Sequence, residues 1–128
     1  MENAHQNLSK EDILNEDNVL RRVPTFLPNY VKDDGTISRM AFNPKKDAKG
    51  LSVDLERLSS YEKATLGQPA RFRILKLSVD TIRNTINDGL DVIHDPNDDN
   101  ESHSLVTGKI TKGKQNQMLK ASTEITSS

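Results

Sequence analysis

The middle of the chain reads Gly35-Thr36-Ile37-Ser38-Arg39-Met40-Ala41-Phe42, then a basic loop, then Leu51-Ser52-Val53-Asp54-Leu55. Apolar and polar side chains alternate over 51–55, which predicts a half-buried strand. Gly35 follows an aspartate and marks a turn, and 38–42 is predicted to be one helical turn. That turn places Phe42 and either Met40 or Ala41 inward. This stretch joins a turn, an apolar pair, a loop and a strand, and the remaining apolar runs lie on both sides of it.

The apolar residues are unevenly distributed along the 128 positions. They make up 33% of the chain, which is low for a globular protein, and the two ends are almost wholly polar. Three segments are therefore predicted: a polar, acidic N-terminal segment over 1–18, one compact domain over 19–110, and a polar C-terminal helix or tail over 111–128.

The central segment contains several short strand-like runs separated by short helical patterns. Strands are predicted at Val19–Val23, Leu51–Leu55, Ala70–Val79, Leu90–Ile93 and near Ile110, with an extended edge segment at Phe26–Val31. Short helices are predicted after Ser38, Ser59 and Val79, and a polar helix over 113–125. This interspersion predicts an α+β fold, with a small mixed or mostly antiparallel sheet of about four to six strands.

Composition excludes several classes of site. The chain has no cysteine, so disulfides, thiolate catalysis and cysteine-ligated zinc are excluded. No apolar run reaches the roughly 18 residues of a membrane span, and no signal segment is recognisable at the start. We therefore expect a cytoplasmic protein without a membrane partner, and no bound cofactor or metal.

The net charge of −1 conceals blocks of like charge. Residues 1–20 hold five acids and one lysine, whereas 109–120 hold four lysines and no acid. Lys45, Lys46 and Lys49, together with Arg39, Arg71 and Arg73, could form a nucleic-acid patch. Nucleic-acid binding by stacking requires exposed aromatic rings, and most of the five aromatic residues are predicted to be core. Nucleic acid is therefore the least favoured partner.

Two segments imitate known ligand loops. Gly108-Lys109-Ile110-Thr111-Lys112-Gly113-Lys114 has P-loop spacing, but Gln115 stands where a magnesium-binding hydroxyl is needed. Asp95, Asn97 and Asp99 match the first three ligands of a calcium loop, but Asn100 replaces the required glycine. Neither segment is predicted to hold its ligand.

Arginine and histidine residues are the best candidates for chemistry. Arg21 and Arg22 are adjacent on a predicted strand and so point to opposite faces. One of them needs an anionic partner, which is either Asp54, an acid within 95–101, or a bound phosphate or carboxylate. His94 and His103 flank an acidic loop, where either could act in acid–base chemistry with Asp95, share a metal, or only fix the backbone.

The order of these signals resembles a group of small uncharacterised bacterial proteins with no established activity. The shared elements are Leu20-Arg21, Asp34-Gly35, Ser38, Ala41-Phe42, Asp47, Leu51-Ser52-Val53-Asp54, Asp95-Pro96, Asn100 and His103. The resemblance implies that Arg21, Ser38, Ser52, Asn100 and His103 belong to one constellation. It does not imply a mechanism.

The order of Arg21 and Ser52 is also similar to that in ADP-ribosyltransferase-like folds. In those folds an Arg or His early on one strand, and a Ser on a second strand, hold a dinucleotide. Such enzymes often use a late glutamate, whereas the late acid here, Glu101, lies in a predicted loop. This second resemblance implies nucleotide binding without a clear catalytic acid.

We expect, as the leading hypothesis, a small accessory module that binds a protein partner through its charged loops. The alternative is a nucleotide-binding or nucleotide-modifying enzyme whose cleft is formed by Arg21, Ser52, Asn100 and His103. A weak nucleic-acid binder is the second alternative. Whether the chain is an enzyme stays open at this point. The enzyme hypothesis requires that the four polar residues converge on one pocket.

Overall fold

The strand predicted at the centre of the chain lies in the middle of an antiparallel sheet. A computed structural model describes residues 10–46 and 48–126, and within them the sheet has six strands in the order β4-β5-β2-β1-β3-β6. The strands are β1 Asn18–Pro24, β2 Leu51–Leu55, β3 Phe72–Ser78, β4 Asp91–His94, β5 His103–Thr107 and β6 Thr123–Ile125. All five neighbouring pairs are antiparallel. The predicted α+β class is confirmed.

The helices are short. They are α1 Tyr61–Ala64 and α2 Lys112–Ala121, with 3₁₀ turns at Arg39–Phe42 and Glu56–Leu58 and a π-helical turn at Thr81–Ile86. In the described part of the chain, no helix combines the length and the apolar character that crossing a bilayer requires. The first nine residues of the predicted acidic segment, and Asp47, lie outside the described residues.

The two faces of the sheet bury unequal cores. Val19, Leu55, Leu75 and Leu77 lie on the face that carries the main core, against which Met118 packs. The opposite face holds a small cluster of Leu20, Ala64 and Ile74. Neighbouring positions on a strand point to opposite faces, which explains why Val19 and Leu20 lie in different clusters.

Strands β1 and β2 separate soon after they meet. They pair only at Val19–Leu55 and Leu20–Asp54. Beyond Leu20, β1 stays paired with β3 as far as Pro24. On the N-terminal side of Asp54, β2 stays paired with β5 as far as Leu51. The sheet therefore opens between the far ends of its two central strands, and side chains near Arg21 and Ser52 border the opening.

The predicted helical turn is a 3₁₀ turn at Arg39–Phe42 that closes this end of the core. The Ser38 hydroxyl accepts a hydrogen bond from the Met40 amide at 3.0 Å, which caps the turn. Phe42 is buried together with Ala41 rather than Met40, which is one of the two arrangements predicted for this turn. The predicted extended segment at Phe26–Val31 is wrong, because it consists of turns. Asn29 has a φ of 76°, which an extended strand cannot accommodate.

The polar C-terminal region packs onto the sheet. Helix α2 begins after the cap residue Thr111, and its Met118 side chain is fully buried. The predicted helix extended to 125, but it ends at Ala121 and β6 follows, because Ile125 pairs with Ile74 of β3. The strand predicted near Ile110 is also wrong, since β5 ends at Thr107 and the chain turns at a glycine with a φ of 102°.

Candidate functional site

The opening between β1 and β2 leads into a cavity of about 330 Å³, here called the central cavity. All four residues proposed for a cleft, Arg21, Ser52, Asn100 and His103, line it. Its other lining residues are Leu20, Arg22, Pro24, Phe26, Leu27, Tyr30, Lys45, Val53, Asp54 and Phe72. The requirement that the four polar residues converge on one pocket is therefore met.

Arg21 is fixed by main-chain acceptors rather than by an acid. Its Nε donates to the carbonyl oxygen of Ala41 at 2.6 Å, and its Nη1 donates to that of Ser52 at 2.9 Å. Within the described residues no carboxylate pairs with it, and a guanidinium has five N–H donors, so three donors keep no protein acceptor. Desolvation by burial lowers the pKa of Arg21; the proximity of Tyr30 opposes that shift.

Arg22, by contrast, has an acidic partner. Its Nη2 lies 3.4 Å from Oδ2 of Asp54, a carboxylate that is almost completely buried. The Oδ1 atom of Asp54 accepts from the Asn100 amide at 2.7 Å and lies 3.1 Å from the Ser102 hydroxyl. The same carboxylate thus neutralises Arg22 and fixes Asn100 at the wall of the cavity. The sequence leaves open whether one of the two arginines pairs with an acid of the chain or with a bound anion. Arg22 pairs with Asp54, whereas no carboxylate pairs with Arg21 among the described residues.

His103 connects Ser52 to Asp95. Its Nδ1 lies 2.9 Å from the carbonyl oxygen of Asp95 and 3.2 Å from Oδ2 of the same residue. Its Nε2 lies 3.3 Å from the hydroxyl oxygen of Ser52. Both groups at Nδ1 are acceptors, so Nδ1 carries the ring proton in the neutral form. The Nε2 atom is then the acceptor, and Ser52 donates to it.

Aromatic and apolar side chains form the outer part of the cavity. Phe26 is 50% exposed and contacts Phe72 edge to face, with ring centroids 5.6 Å apart. The guanidinium of Arg71 lies 4.1 Å from the centre of the Phe26 ring. Leu27 is also exposed at this rim. The cavity therefore combines cationic groups inside with apolar surface at its mouth.

One residue of the expected constellation, Ser38, and the separate candidate His94 have structural roles instead. His94 is buried outside the cavity, where Nδ1 accepts from the Glu11 amide and Nε2 contacts the carbonyl oxygen of Glu101, both at 2.7 Å. Ser38 caps the 3₁₀ turn and donates to the Asn29 carbonyl at 2.7 Å. The hypothesis that His94 shares a metal with His103 is wrong, since no metal-ligating cluster occurs among the described residues.

Side chains in the P-loop-like and calcium-loop-like segments form hydrogen bonds within the protein. Lys114, at the P-loop lysine position, donates to the carbonyl oxygens of Lys109 and Asp88 at 2.7 and 3.0 Å. In the calcium-like loop, the Asn97 side chain accepts from the amides of Asp99 and Asn100, which makes it a turn residue. Both findings agree with the prediction that neither segment holds its usual ligand.

Sequence reasoning missed the outer part of the cavity. The sequence predicts an extended edge segment at Phe26–Val31, and no pattern in it connects Tyr30 or Lys45 with Arg21. One signal was available: Phe26 lies between Pro24 and Pro28, and prolines on both sides disfavour a buried central strand. An aromatic residue in such a segment is expected to lie at the surface.

No protein-family model matches the chain, and neither a curated protein nor a solved structure matches it.

Proposed function

We propose that the central cavity binds a small anionic ligand of the nucleotide class. The observation that supports this most strongly is the guanidinium of Arg21. It is half-buried, burial lowers its pKa, it has no carboxylate partner among the described residues, and three of its donors have no acceptor there. A desolvated cation is costly unless an anion compensates it, and arginine binds phosphate and carboxylate groups in a bidentate manner.

The charges around the cavity support an anion. Arg21, Arg22 and Lys45 supply three positive charges to its lining, and Asp54 supplies one negative charge. Asp54 is already paired with Arg22. Within the described part of the chain no acceptor contacts the Lys45 ammonium, so Arg21 and Lys45 together leave two charges uncompensated. A phosphate would neutralise them.

The shape of the cavity supports a ligand with an aromatic part. A volume of about 330 Å³ is at the lower end of the usual range for small-molecule sites, which suits a phosphate and a sugar. A base could then lie over the exposed Phe26 ring, where stacking contributes about 1–3 kcal/mol. The resemblance of Arg21 and Ser52 to dinucleotide-binding strands implies the same ligand class.

The leading hypothesis from the sequence, an accessory module that binds a protein, is our second proposal. It is favoured by Phe26 and Leu27, which are 50% and 44% exposed at the mouth of the cavity. A partner that inserts an acidic side chain between them would use Arg21 as well. Nucleic acid remains the least favoured partner, because Glu124 pairs with Arg73 and Gln115 accepts from Arg39.

A thermal-shift experiment with ADP, NAD⁺, inorganic phosphate and a short RNA tests the first proposal. A probe at about ten times its Kd stabilises the folded state by about 1.4 kcal/mol, which raises the Tm by several degrees. We expect this response to ADP or NAD⁺ in the wild type. It should be lost in Arg21→Gln and reduced in Lys45→Gln.

Two controls make the outcome decisive. Arg83 also donates to main-chain carbonyls, those of Ile13 and Val92, but lies outside the cavity. Arg83→Gln should therefore respond to the nucleotide as the wild type does. Lys45→Gln removes no hydrogen bond in the described structure, so its effect is not one of folding. No response to any nucleotide, or an undiminished response in Arg21→Gln, would overturn the proposal.

A further inference from the structure

We propose that Ser52 is a nucleophile activated by His103, and that the central cavity hydrolyses an ester bearing an anionic group. The nucleophile is inferred from the contacts of Ser52 and His103 alone. The anionic group of the substrate rests on the proposed function, since it depends on Arg21 and Lys45. The two parts can therefore fail separately.

The tautomer of His103 gives it the role of a base toward Ser52. The carbonyl oxygen and the carboxylate of Asp95 both face Nδ1, at 2.9 and 3.2 Å, and neither can donate a hydrogen bond. The proton of the neutral ring therefore lies on Nδ1. The lone pair of Nε2 points to the Ser52 hydroxyl, 3.3 Å away, a separation typical of a nucleophile and its base before substrate binds.

Ser52 is held rigidly but exposed. The residues before and after it on β2, Leu51 and Val53, are buried, and the strand pairs with β5 at all three positions. The backbone is thereby fixed, whereas the Ser52 side chain is open to the cavity. Its hydroxyl has no protein partner other than His103 among the described residues.

The neighbouring serines are not equivalent to Ser52. Ser102 is buried and its hydroxyl lies 2.6 Å from the Asn100 side-chain oxygen and 3.1 Å from Asp54. Ser104 is fully buried and donates to the carbonyl oxygen of Ser102. Neither hydroxyl contacts an imidazole. Ser52 is therefore the one cavity-lining serine that pairs with a histidine in the described chain.

Arg21 would stabilise the charge that develops in such a reaction. Its Nη1 contacts the carbonyl oxygen of Ser52, so the guanidinium lies beside the nucleophile and presents unassigned donors to the cavity. A donor aimed at a developing oxyanion raises kcat by about a hundred- to a thousandfold in acyl transfer. The same positive charge would attract an anionic substrate.

The reaction has two steps. In the first, Oγ of Ser52 forms a bond to the ester carbonyl carbon while its proton passes to Nε2 of His103. The bond from that carbon to the alcohol oxygen breaks, and the leaving alcohol takes the proton from Nε2. In the second, a water molecule attacks the acyl group with Nε2 as base. The carboxylic acid is released and the Ser52 hydroxyl regains its proton.

Covalent labelling with an alkyl fluorophosphonate tests the nucleophile. This probe is uncharged and so does not need the anion site. Its phosphorus forms a bond to the serine oxygen as fluoride leaves. We expect one adduct, located on Ser52 by peptide mass spectrometry. Ser52→Ala should give no adduct, and His103→Gln should lower the labelling rate at least about a hundredfold, as expected for loss of a general base.

Ser59→Ala is the matched control, because the Ser59 hydroxyl donates to the adjacent Ser60 carbonyl, contacts no histidine among the described residues, and lies outside the central cavity. It should label at the wild-type rate. Each variant is first shown to keep the wild-type Tm within a few degrees. No adduct in the wild type, an adduct on another residue, or equal labelling of His103→Gln would overturn the proposal.

Substrate charge is tested separately with two chromogenic esters, 4-nitrophenyl acetate and the mono-4-nitrophenyl ester of succinic acid. The wild type should prefer the anionic ester by at least about tenfold in kcat/KM, equivalent to about 1.4 kcal/mol. Lys45→Gln should lose most of this preference, measured as the ratio of the two kcat/KM values. Equal hydrolysis of both esters by the wild type would refute the anionic substrate class and leave the nucleophile assigned.

Asp95 is a positioning residue in this scheme, because it acts through the His103 ring. Asp95→Asn should lower the labelling rate less than His103→Gln does, since the Asp95 main-chain oxygen still accepts the Nδ1 proton. Asp95→Glu should restore part of the rate. A merely structural role would instead lower the Tm in both variants without changing the labelling rate, and that result would remove Asp95 from the scheme.

Discussion

Arg21 donates from Nη1 to the main-chain oxygen of Ser52 at 2.9 Å, across the point at which β1 and β2 separate. If β1 and β2 remained paired at this point, the Ser52 carbonyl would accept a hydrogen bond from the main chain of β1. Because they diverge beyond Leu20 and Asp54, the arginine side chain takes the place of a strand neighbour. The same divergence opens the central cavity, so the fold and the proposed anion site share one cause.

Removing the Asp54 carboxylate should destabilise the protein strongly. Asp54→Ala leaves Asn100, Ser102 and Arg22 without their shared acceptor, and a broken buried network costs about 2–4 kcal/mol. Asp91→Ala is the matched control, because the Asp91 side chain, which forms an ion pair with Arg83, is 57% exposed. Loss of this ion pair should cost less than about 1 kcal/mol. Urea unfolding gives the free energy of unfolding of both variants. Equal decreases would contradict a strong stabilising role for the hydrogen bonds of Asp54.

The pair of Arg73 and Glu124 should make β6 sensitive to acid. Hydrogen bonding to Arg73 lowers the pKa of Glu124 below 4.5, so the pair stabilises the fold above that value. This contribution is lost as the pH falls through the lower pKa of the folded state. Both side chains are about one third exposed, so the contribution is about 0.5–1 kcal/mol.

Glu124→Gln checks this prediction. The variant should be less stable than the wild type near about pH 7, and the difference should vanish once the pH has fallen below the lowered pKa of Glu124 in the folded state. Urea unfolding across that range gives the comparison. A difference that does not change with pH would show that charge on Glu124 is not what holds β6 to β3.

Two glycines should tolerate alanine unequally. Gly108 has a φ of 102°, and a Cβ there would lie 2.5 Å from the carbonyl oxygen of Gly89. Gly67 has a φ of 68°, with open space around it. Gly67→Ala should cost about 1–2 kcal/mol for the left-handed backbone, and Gly108→Ala about 2–5 kcal/mol because overpacking adds to it. Thermal unfolding compares them, and equal shifts in Tm would contradict this view of the β5 turn.

Lys114 should matter for stability and not for nucleotide binding. Its ammonium is buried and holds the carbonyl oxygens of Asp88 and Lys109. Lys114→Gln should therefore lower the Tm and leave the response to ADP unchanged. Loss of the ADP response in a folded Lys114→Gln protein would mean that 108–114 is a phosphate loop after all.

Much of the fold could be predicted because strong local patterns decide it. The alternation over 51–55 predicts β2, and the one helical turn predicted over 38–42 is a 3₁₀ turn capped by Ser38. By contrast, β6 contains only Thr123, Glu124 and Ile125, and its strand character depends on pairing with β3 rather than on local pattern. The turns at 26–31 were missed because a left-handed Asn29 leaves no clear signal in the sequence.

The candidate site was predictable only in part. Arg21, Ser52, Asn100 and His103, which the sequence places in one cleft, all line the central cavity, whereas Ser38, which the resemblance groups with them, does not. The opening of β1 from β2 was not predictable, since it depends on which strands pair over which residues. Without it, the lack of a carboxylate partner for Arg21 among the described residues could not be inferred, whereas the exposure of Phe26 is indicated by the prolines on both sides of it.

Isothermal titration of ADP into the wild type and Arg21→Gln tests the central claim most directly. A hydrogen bond to a charged group contributes about 1.5–3 kcal/mol, so the Kd should weaken by about 10- to 150-fold in the variant. Arg83→Gln, measured alongside, should keep the wild-type Kd. The same Kd in Arg21→Gln as in the wild type, or no measurable heat of binding in either, would contradict the account.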